Sequence, residues 1–293
     1  MVWRAAYRLD AALAGRVLTL SDLRWPSLAT VDLTGRTVLG VASRGKHLLT
    51  RMDGGPDGGA PVTLHSHLRM EGSWHVHRTG GTWSTARARE GVRAILANET
   101  WTTVGHKLGM LDLVATDRED SLVGHLGPDL LGADWDMTEA LRRLRADPAR
   151  AVGDALLDQR NLAGIGTFFM AEVLFVRGIS PWTAVSEVAD LEAVVALSYR
   201  MLDANRRRAA QSTTGDLRPG RTQYVHSRSG LPCRRCGTSV RVAMVGTPPQ
   251  DRTAFWCPRC QPGPTPTDDG RPQQPLGAGR RPGTTSARYG PGR

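Results

Sequence analysis

The stretches GLPCRRCGTSV (residues 230–240) and AFWCPRCQP (residues 254–262) hold all four cysteines of the 293-residue chain, in two CxxC pairs. Twenty residues separate the inner two cysteines. This spacing is typical of a zinc site in which two tight knuckles are joined by a hairpin. A redox dithiol and a chance pairing stay open as alternatives. We predict one structural zinc ion, with no open coordination position, on Cys233, Cys236, Cys257 and Cys260.

The charge of the chain favours a polyanionic partner. Lys and Arg number 38 against 28 Asp and Glu, a formal net charge of +10, and such an excess is typical of nucleic-acid-binding proteins. A GC-biased genome also produces an arginine-rich composition, so the net charge alone does not show that the partner is a nucleic acid. Five arginines are gathered on the predicted hairpin, where a rigid basic cluster favours phosphate binding. They are Arg234, Arg235, Arg241, Arg252 and Arg259.

The hydrophobic period changes along the chain and predicts an α+β multidomain protein. Short alternating apolar stretches, after one helix that ends at Gly15, predict an N-terminal β-sandwich. Helical spacing follows, with Asp136 and Glu139 predicted to form a capping box. The C-terminal residues are rich in Pro, Gly, Thr and Arg and cannot bury enough apolar surface to become ordered. The predicted domains are the sandwich at 1–115, a helical domain at 116–216, the zinc finger at 217–261 and a disordered basic tail at 262–293.

A glycine-containing turn divides two helices in LLDQRNLAGIGTFFMAEVLF, residues 156–175. Gly164 and Gly166 allow the backbone to turn sharply, and Thr167 is predicted to cap the next helix. The free amides at the start of that helix form an anion site suited to a DNA phosphate. An ordinary helix-turn-helix with packed glycines is the structural alternative.

Taken in order, the β-sandwich, the glycine-containing turn and a finger that ends RTAFWCPRCQ closely resemble the Fpg/Nei family of DNA glycosylases that are also AP lyases. The resemblance covers nearly all of residues 2–261, and SRGKHLL (43–49) and HLGPDLL (125–131) add to it. It implies a helix-two-turn-helix domain and a base excision repair enzyme. That enzyme would remove oxidised bases and cut the strand at abasic sites by imine formation and β-elimination, with δ-elimination as an open further step.

The resemblance also implies roles for individual side chains. Lys46 in SRGKHLL looks like the family lysine that contacts the DNA backbone and assists proton transfer during strand cleavage. Arg252 resembles the finger arginine that binds the phosphates beside the extruded nucleotide and assists the second elimination. In SHLRMEGSW, Met70 looks like the residue that fills the gap left by the flipped base, and Arg69 like a DNA contact.

Two positions depart from the family pattern. Thr167 stands where the family usually has asparagine, and so lacks the amide donor that can meet a phosphate. The family begins Met-Pro-Glu-Gly and uses the amine of that proline, exposed by Met removal, as the nucleophile, whereas this sequence begins MVWRAAYRL. Either the start of the sequence is placed too late or the chain lacks this nucleophile. We expect the chain as printed to bind lesion-containing duplex and to cleave it poorly until Met-Pro-Glu-Gly-Asp-Thr precedes Val2.

These patterns lead to one enzyme hypothesis and two alternatives. The enzyme is a DNA glycosylase/AP lyase, and the alternatives are a catalytically impaired protein that binds damaged or abasic DNA and a zinc ribbon that binds RNA or protein. We predict a monomer whose partner is damaged double-stranded DNA, with no membrane association. No apolar signal segment is seen, so a cytoplasmic, nucleoid-associated location in a bacterium is expected. A metal site at His65/His67 or His75/His77 would need a further ligand.

Overall fold

A computed structural model describes residues 1–81 and 90–266 of the chain. Its N-terminal part begins with helix α1 (Val2–Leu13) and continues as two four-stranded antiparallel sheets. The first sheet has the strand order β1-β6-β7-β5 and the second β2-β3-β4-β8. The strands are β1 (Leu20–Leu23), β2 (Val38–Arg44), β3 (His47–Met52), β4 (Val62–His67), β5 (Ser73–Arg78), β6 (Val92–Ala97), β7 (Trp101–His106) and β8 (Met110–Ala115).

Alternating side chains build the core between the sheets. Leu48 and Leu64 of the second sheet share one buried cluster with Leu96 of the first, because successive side chains on a strand point to opposite faces. Helix α1 closes the sandwich with Leu9 and Leu13, and Gly15 takes a left-handed φ of 72° just beyond it. The predicted helix and β-sandwich are confirmed, although the helix ends two residues before Gly15.

Helices form the second part of the molecule, and their N-caps follow from the sequence. Asp136 accepts hydrogen bonds from the backbone of Thr138 and Glu139 and caps α3. Glu139 does not complete the predicted capping box, because its carboxylate pairs with Arg142 and Arg143 instead. The helices are α2 (Asp120–Val123), α3 (Met137–Arg145), α4 (Val152–Leu157), α5 (Thr167–Arg177) and α6 (Leu191–Asn205).

The C-terminal part is the predicted hairpin. Strands β9 (Arg241–Val245) and β10 (Arg252–Trp256) pair antiparallel and carry the two cysteine pairs at their base. Phe255 packs with Ala171 and Phe175 of α5, which fixes the hairpin on the helical part. The predicted disordered tail lies outside the described residues from residue 267 onward. Within the described part, no helix combines the length and the hydropathy needed to cross a bilayer.

Candidate nucleic-acid interface

A cavity of about 240 Å³ lies where the sandwich meets the helical part. Its wall is built by five segments: the N-terminal end of α1 with Met1, the turn between β2 and β3 with Lys46, the segment with Asp129, the turn that ends at Gly166, and the C-terminal end of α6 with Arg206. Residues far apart in sequence therefore face one concave space, as binding sites between domains commonly do.

The turn that carries Lys46 is fixed by a buried carboxylate. Asp129, 2% exposed, accepts hydrogen bonds from the backbone N–H of Gly45 at 2.7 Å and of Leu131 at 3.0 Å. Gly45 has a φ of 57°, and a Cβ there would stand 3.2 Å from Ala163 Cβ. Burial raises the pKa of Asp129. HLGPDLL adds to the family resemblance, but the sequence does not reveal that its aspartate holds the turn at Gly45.

Lys46 reaches into the cavity and meets the start of α5. A Cβ placed on Gly166 would lie 3.7 Å from Lys46 Nζ, so the amine stands beside that backbone. The pKa of Lys46 is lowered to about 8, mainly by burial and to a smaller extent by the charge of Arg252. An amine with such a pKa exchanges a proton readily near neutral pH, which suits general acid or base chemistry.

The N-terminus of α5 differs from the prediction by one residue. Gly166 is the N-cap, with φ −133° and ψ 178°, and no side chain caps the helix. A capping oxygen must come from the extended N-cap residue, so the prediction that Thr167 caps is wrong. Thr167 is the first helical residue and lines the cavity. The Gln159 side chain holds the turn, since its Oε1 accepts from Gly164 N–H at 3.0 Å and its Nε2 donates to Ile165 O at 3.1 Å.

The finger brings the charge of Arg252 near Lys46. Arg252 is exposed at the start of β10 and donates to the carbonyls of Gln250 and Asp251, each at 2.8 Å, through a single nitrogen. Its charge acts on Lys46. The structure therefore brings Lys46 and Thr167 together at the cavity, and Arg252 is close enough for its charge to act on Lys46.

The predicted wedge loop lies beside this site rather than in it. Met70 is 96% exposed at the tip of the loop after β4, and Arg69 has a left-handed φ of 49° with its stem against Gly109. The backbone N–H of Arg69 donates to His67 Nδ1 at 3.0 Å. An exposed apolar tip is available to a partner, and the wedge role of Met70 and the DNA contact of Arg69 stay predictions.

Arginines at the end of α6 hold α1 across the domain junction. Trp3 and Tyr7 stack with ring centroids 5.4 Å apart. The Arg206 guanidinium lies 5.1 Å from the Trp3 ring, and that of Arg207 lies 5.7 Å from the Tyr7 ring. Cation–π contacts of this kind contribute roughly 0.5–1 kcal/mol each at exposed sites. They fix the end of α1 that brings Met1 to the cavity, where burial lowers the pKa of its α-amine.

A face of the second sheet next to Lys46 is lined with histidines. His65 and His67 share that face, as predicted, and His47 from β3 and His125 from the segment after α2 join them. His47 Nδ1 lies 2.8 Å from His65 Nε2, and His65 Nδ1 lies 3.0 Å from Asp112 Oδ2. Within the described residues the metal-type grouping found is that of the cysteines. The sequence pattern did not reveal His47, because its place beside His65 depends on strand register.

The four cysteine sulfurs have the spacing of a tetrahedral site. All lie within 4.8 Å of one another, with Sγ–Sγ distances of 3.4 Å for Cys236 and Cys257 and 3.9 Å for Cys233 and Cys260. Tetrahedral zinc with Zn–S bonds of about 2.3 Å requires sulfurs about 3.8 Å apart. The donor set and its geometry therefore fit one zinc ion.

A buried carboxylate that sequence reasoning missed connects the helical part to the finger. Glu172 of α5 is fully buried. It accepts from the backbone N–H of Tyr224, Val225 and His226 at 2.7, 2.8 and 2.9 Å, and from the Thr213 hydroxyl. Ionised carboxylates form the strongest such bonds, so Glu172 fixes the chain that enters the finger.

The Glu172→Gln substitution is expected to lower the free energy of unfolding by about 2–4 kcal/mol, because an amide turns a donor toward backbone donors in a buried place. Thermal unfolding monitored by circular dichroism measures this loss. Glu99→Gln, on an exposed residue, is the control and should change stability by less than about 0.5 kcal/mol. Equal stability of the Glu172 variant and the parent would contradict the role given to this carboxylate.

Comparisons with known proteins extend over most of the chain. The model of the formamidopyrimidine-DNA glycosylase N-terminal domain matches residues 8–104. The chain is 54% identical to the probable endonuclease 8 2 of Streptomyces coelicolor, over 92% of this chain and 95% of that protein. It is 41% identical to the DNA-(apurinic or apyrimidinic site) lyase Nei2 of Mycolicibacterium smegmatis, over 89% of this chain and 96% of that one.

A solved structure has the same fold. The Lactococcus lactis formamidopyrimidine-DNA glycosylase, solved non-covalently bound to DNA containing an AP site, superposes with a TM-score of 0.71. Its sequence is 22% identical, and the match covers 89% of this chain and 98% of that one.

Proposed function

The chain belongs to the Fpg/Nei family of DNA glycosylases, and on that premise we propose that it is a base excision repair enzyme, a DNA glycosylase and AP lyase. Its substrate is duplex DNA that carries an oxidised base or an abasic site. One observation carries the proposal: a desolvated lysine and the start of a helix meet at one cavity, and the charge of an exposed finger arginine acts on that lysine. These are the parts that a flipped nucleotide and its phosphates require.

We propose a separate role for each group of residues. With Met-Pro-Glu-Gly-Asp-Thr ahead of Val2, the proline amine attacks C1′ of the damaged nucleotide, the glycosidic bond breaks as the base leaves with a proton, and the opened sugar stays bound to the amine as an imine. Met1 and Lys46 line the same cavity, so Lys46 is placed to move protons during the elimination that cuts the strand. Arg252 and the amides at the start of α5 bind the flanking phosphates, while Met70 enters the gap left by the extruded base.

We also propose that the four cysteines hold one structural zinc ion. The sulfur spacing supports it, and four thiolates leave no position for substrate. The ion fixes the hairpin and thereby the position of Arg252. The monomeric state and the nucleoid location stay predictions.

A base-release assay tests the proposed function. Duplexes that carry an oxidised pyrimidine, 8-oxoguanine, a preformed abasic site or no damage are incubated with the protein, and freed bases and cut strands are measured. We expect the form that carries Met-Pro-Glu-Gly-Asp-Thr ahead of Val2 to release an oxidised base and to cut at the abasic site, with the undamaged duplex intact. Binding of every damaged duplex without release or cutting would favour the alternative, a lesion-binding protein without catalysis.

Arg252→Ala is expected to weaken binding of abasic-analogue duplex by about tenfold and to reduce the slope of log K against log salt by about one ion. Thermal stability should change little, since Arg252 is exposed. Arg145→Ala, which removes the same charge from an exposed position on α3, is the control and should leave both quantities nearly unchanged. An unaltered salt slope in the Arg252 variant would remove Arg252 from the phosphate site.

A further inference from the structure

The histidine face beside Lys46 contains a hydrogen-bonded chain that the mechanism above does not use. It runs from Asp112 on β8 through His65 on β4 to His47 on β3. His65 is 1% exposed, whereas the Asp112 side chain is 43% exposed. We call Asp112, His65 and His47 the relay. His67 and the exposed His125 flank its His47 end, with ring centroids 5.0 and 6.2 Å from that of His47.

The hydrogen bonds assign the tautomers of the relay. A carboxylate only accepts, so His65 donates its Nδ1–H to Asp112, and neutral His65 therefore offers Nε2 as an acceptor. His47 must donate its Nδ1–H to that nitrogen at 2.8 Å. Neutral His47 is then left with a lone pair on Nε2, where it can accept a proton or a hydrogen bond but cannot donate one.

The surroundings of His47 keep it uncharged in the free protein. The pKa of His47 is lowered to about 3. Burial is the largest cause, and the charges of His65, His67, His125 and Lys46 lower it further. The pKa of His67 is lowered to about 4 by burial, and then by His65, Lys46 and Arg69. The acidic group in this set is Asp112, which reaches His47 only through His65. An anion at His47 Nε2 would raise the pKa of His47 by stabilising the protonated ring.

A metal ion does not fit the relay. Both nitrogens of His65 are engaged, by Asp112 and by His47. His67 uses Nδ1 to accept from the Arg69 backbone, which leaves hydrogen on its Nε2 in the neutral ring. A phosphodiester oxygen, by contrast, is an acceptor that suits the His67 Nε2–H at once and suits His47 as soon as His47 carries a second proton.

We propose that the relay is a proton-linked phosphodiester site, which takes up one proton from solvent when the backbone of bound DNA reaches His47. The proton adds to His47 Nε2, which then donates to a phosphate oxygen, while Nδ1–H still donates to His65 and Asp112 stabilises the cation through it. Lys46, the adjacent residue, already faces the cavity assigned to DNA. The proposal rests on the proposed function only in placing DNA in that cavity.

The sign of the pH effect follows from linkage. A phosphate near His47 raises the pKa of His47 in the complex above its value in the free protein. Affinity therefore increases as pH falls through the pKa of the complex, and the gain would be complete only below the pKa of the free protein. A phosphate within hydrogen-bond distance raises such a pKa by about 1–3 units. From about 3 in the free protein, a shift at the upper end of this range brings the pKa of His47 in the complex to about 6, so we expect affinity to rise about tenfold when the pH falls from about 7.5 to about 5.

The experiment uses the full chain and a duplex with a tetrahydrofuran abasic analogue, which cannot form an imine. Affinity is measured across this pH range, and proton uptake is measured by calorimetry in two buffers of different ionisation enthalpy. His47→Phe keeps a ring without a proton acceptor, and Asp112→Asn removes the charge that stabilises the cation. His75→Phe, on the exposed surface of the other sheet, is the matched control.

The expected result at about pH 5 is uptake of about one proton by the parent and the His75 variant, little by His47→Phe and an intermediate amount by Asp112→Asn. Affinity at about pH 7.5 should stay within about threefold throughout. Unchanged pH dependence in His47→Phe would overturn the proposal. If that variant does not fold, NMR of the His47 ring in the parent decides, since a neutral ring in the complex at about pH 5 overturns the proposal. Failure of the parent to bind the duplex would instead count against the proposed function.

Discussion

Replacing Lys46 with methionine is expected to slow strand cleavage at an abasic site at least about 100-fold while weakening duplex binding by less than about tenfold. A positioned proton donor or acceptor contributes about 10²–10⁴-fold to a rate, whereas a single phosphate contact adds modestly to affinity. The amine stands beside Gly166, and its pKa near 8 gives useful amounts of both protonation states. Single-turnover cleavage and equilibrium binding measure the two effects separately.

Lys46→Arg is the matched control, because it keeps the positive charge but cannot give up a proton near neutral pH. It should bind nearly as well as the parent and cleave as poorly as the methionine variant. The pH dependence of kcat/KM in the parent should also show an inflection near pH 8, which both variants lose. Full cleavage by either variant would show that Lys46 carries charge only, or does not belong to the site.

Removal of the metal is expected to abolish tight binding, with a loss of affinity above about 100-fold, while the sandwich and helices stay folded. Structural zinc supplies roughly 10–16 kcal/mol of apparent binding energy to small zinc-finger peptides, and β9 and β10 form a sheet of only two strands. Chelation or Cys257→Ser should unfold the hairpin and displace Arg252. Metal content, far-UV circular dichroism and binding to the tetrahydrofuran duplex test this.

A tryptophan pair reports on the same event. Trp256 of β10 packs edge-to-face on Trp182 of the helical part, with ring centroids 4.6 Å apart, so tryptophan fluorescence should change when the hairpin separates. Zinc added back to chelated protein should restore both signal and binding, whereas magnesium should restore neither. A metal-free protein with unchanged affinity and fluorescence would show that the cysteines do not organise the finger.

The parts of the molecule that sequence could predict are those whose signal is local. The CxxC spacing predicts the hairpin, the alternation of apolar residues predicts the sandwich, and SRGKHLL marks Lys46 before any geometry is known. Such features depend on residues within one or two elements. Their physical causes, thiolate coordination and the period of strands, act over short stretches of chain.

The features that sequence could not predict depend on distant partners. Glu172 resembles any helical glutamate until the backbone some 50 residues later is seen to donate to it. Asp129 acquires its role only when the turn at Gly45 comes against it. His47 meets His65 through the register of β3 and β4, which a single residue of slippage would change.

Covalent trapping on abasic DNA tests the central claim most directly, because borohydride reduces an imine to a stable bond and captures only a protein that has formed one. It is to be done with the chain as printed and with a form that carries Met-Pro-Glu-Gly-Asp-Thr ahead of Val2. We expect the extended form to give a protein–DNA adduct at the abasic strand, the chain as printed to give much less, and undamaged duplex to give none. If neither form is trapped, although both bind the abasic duplex, the conclusion that this cavity belongs to an AP lyase is contradicted.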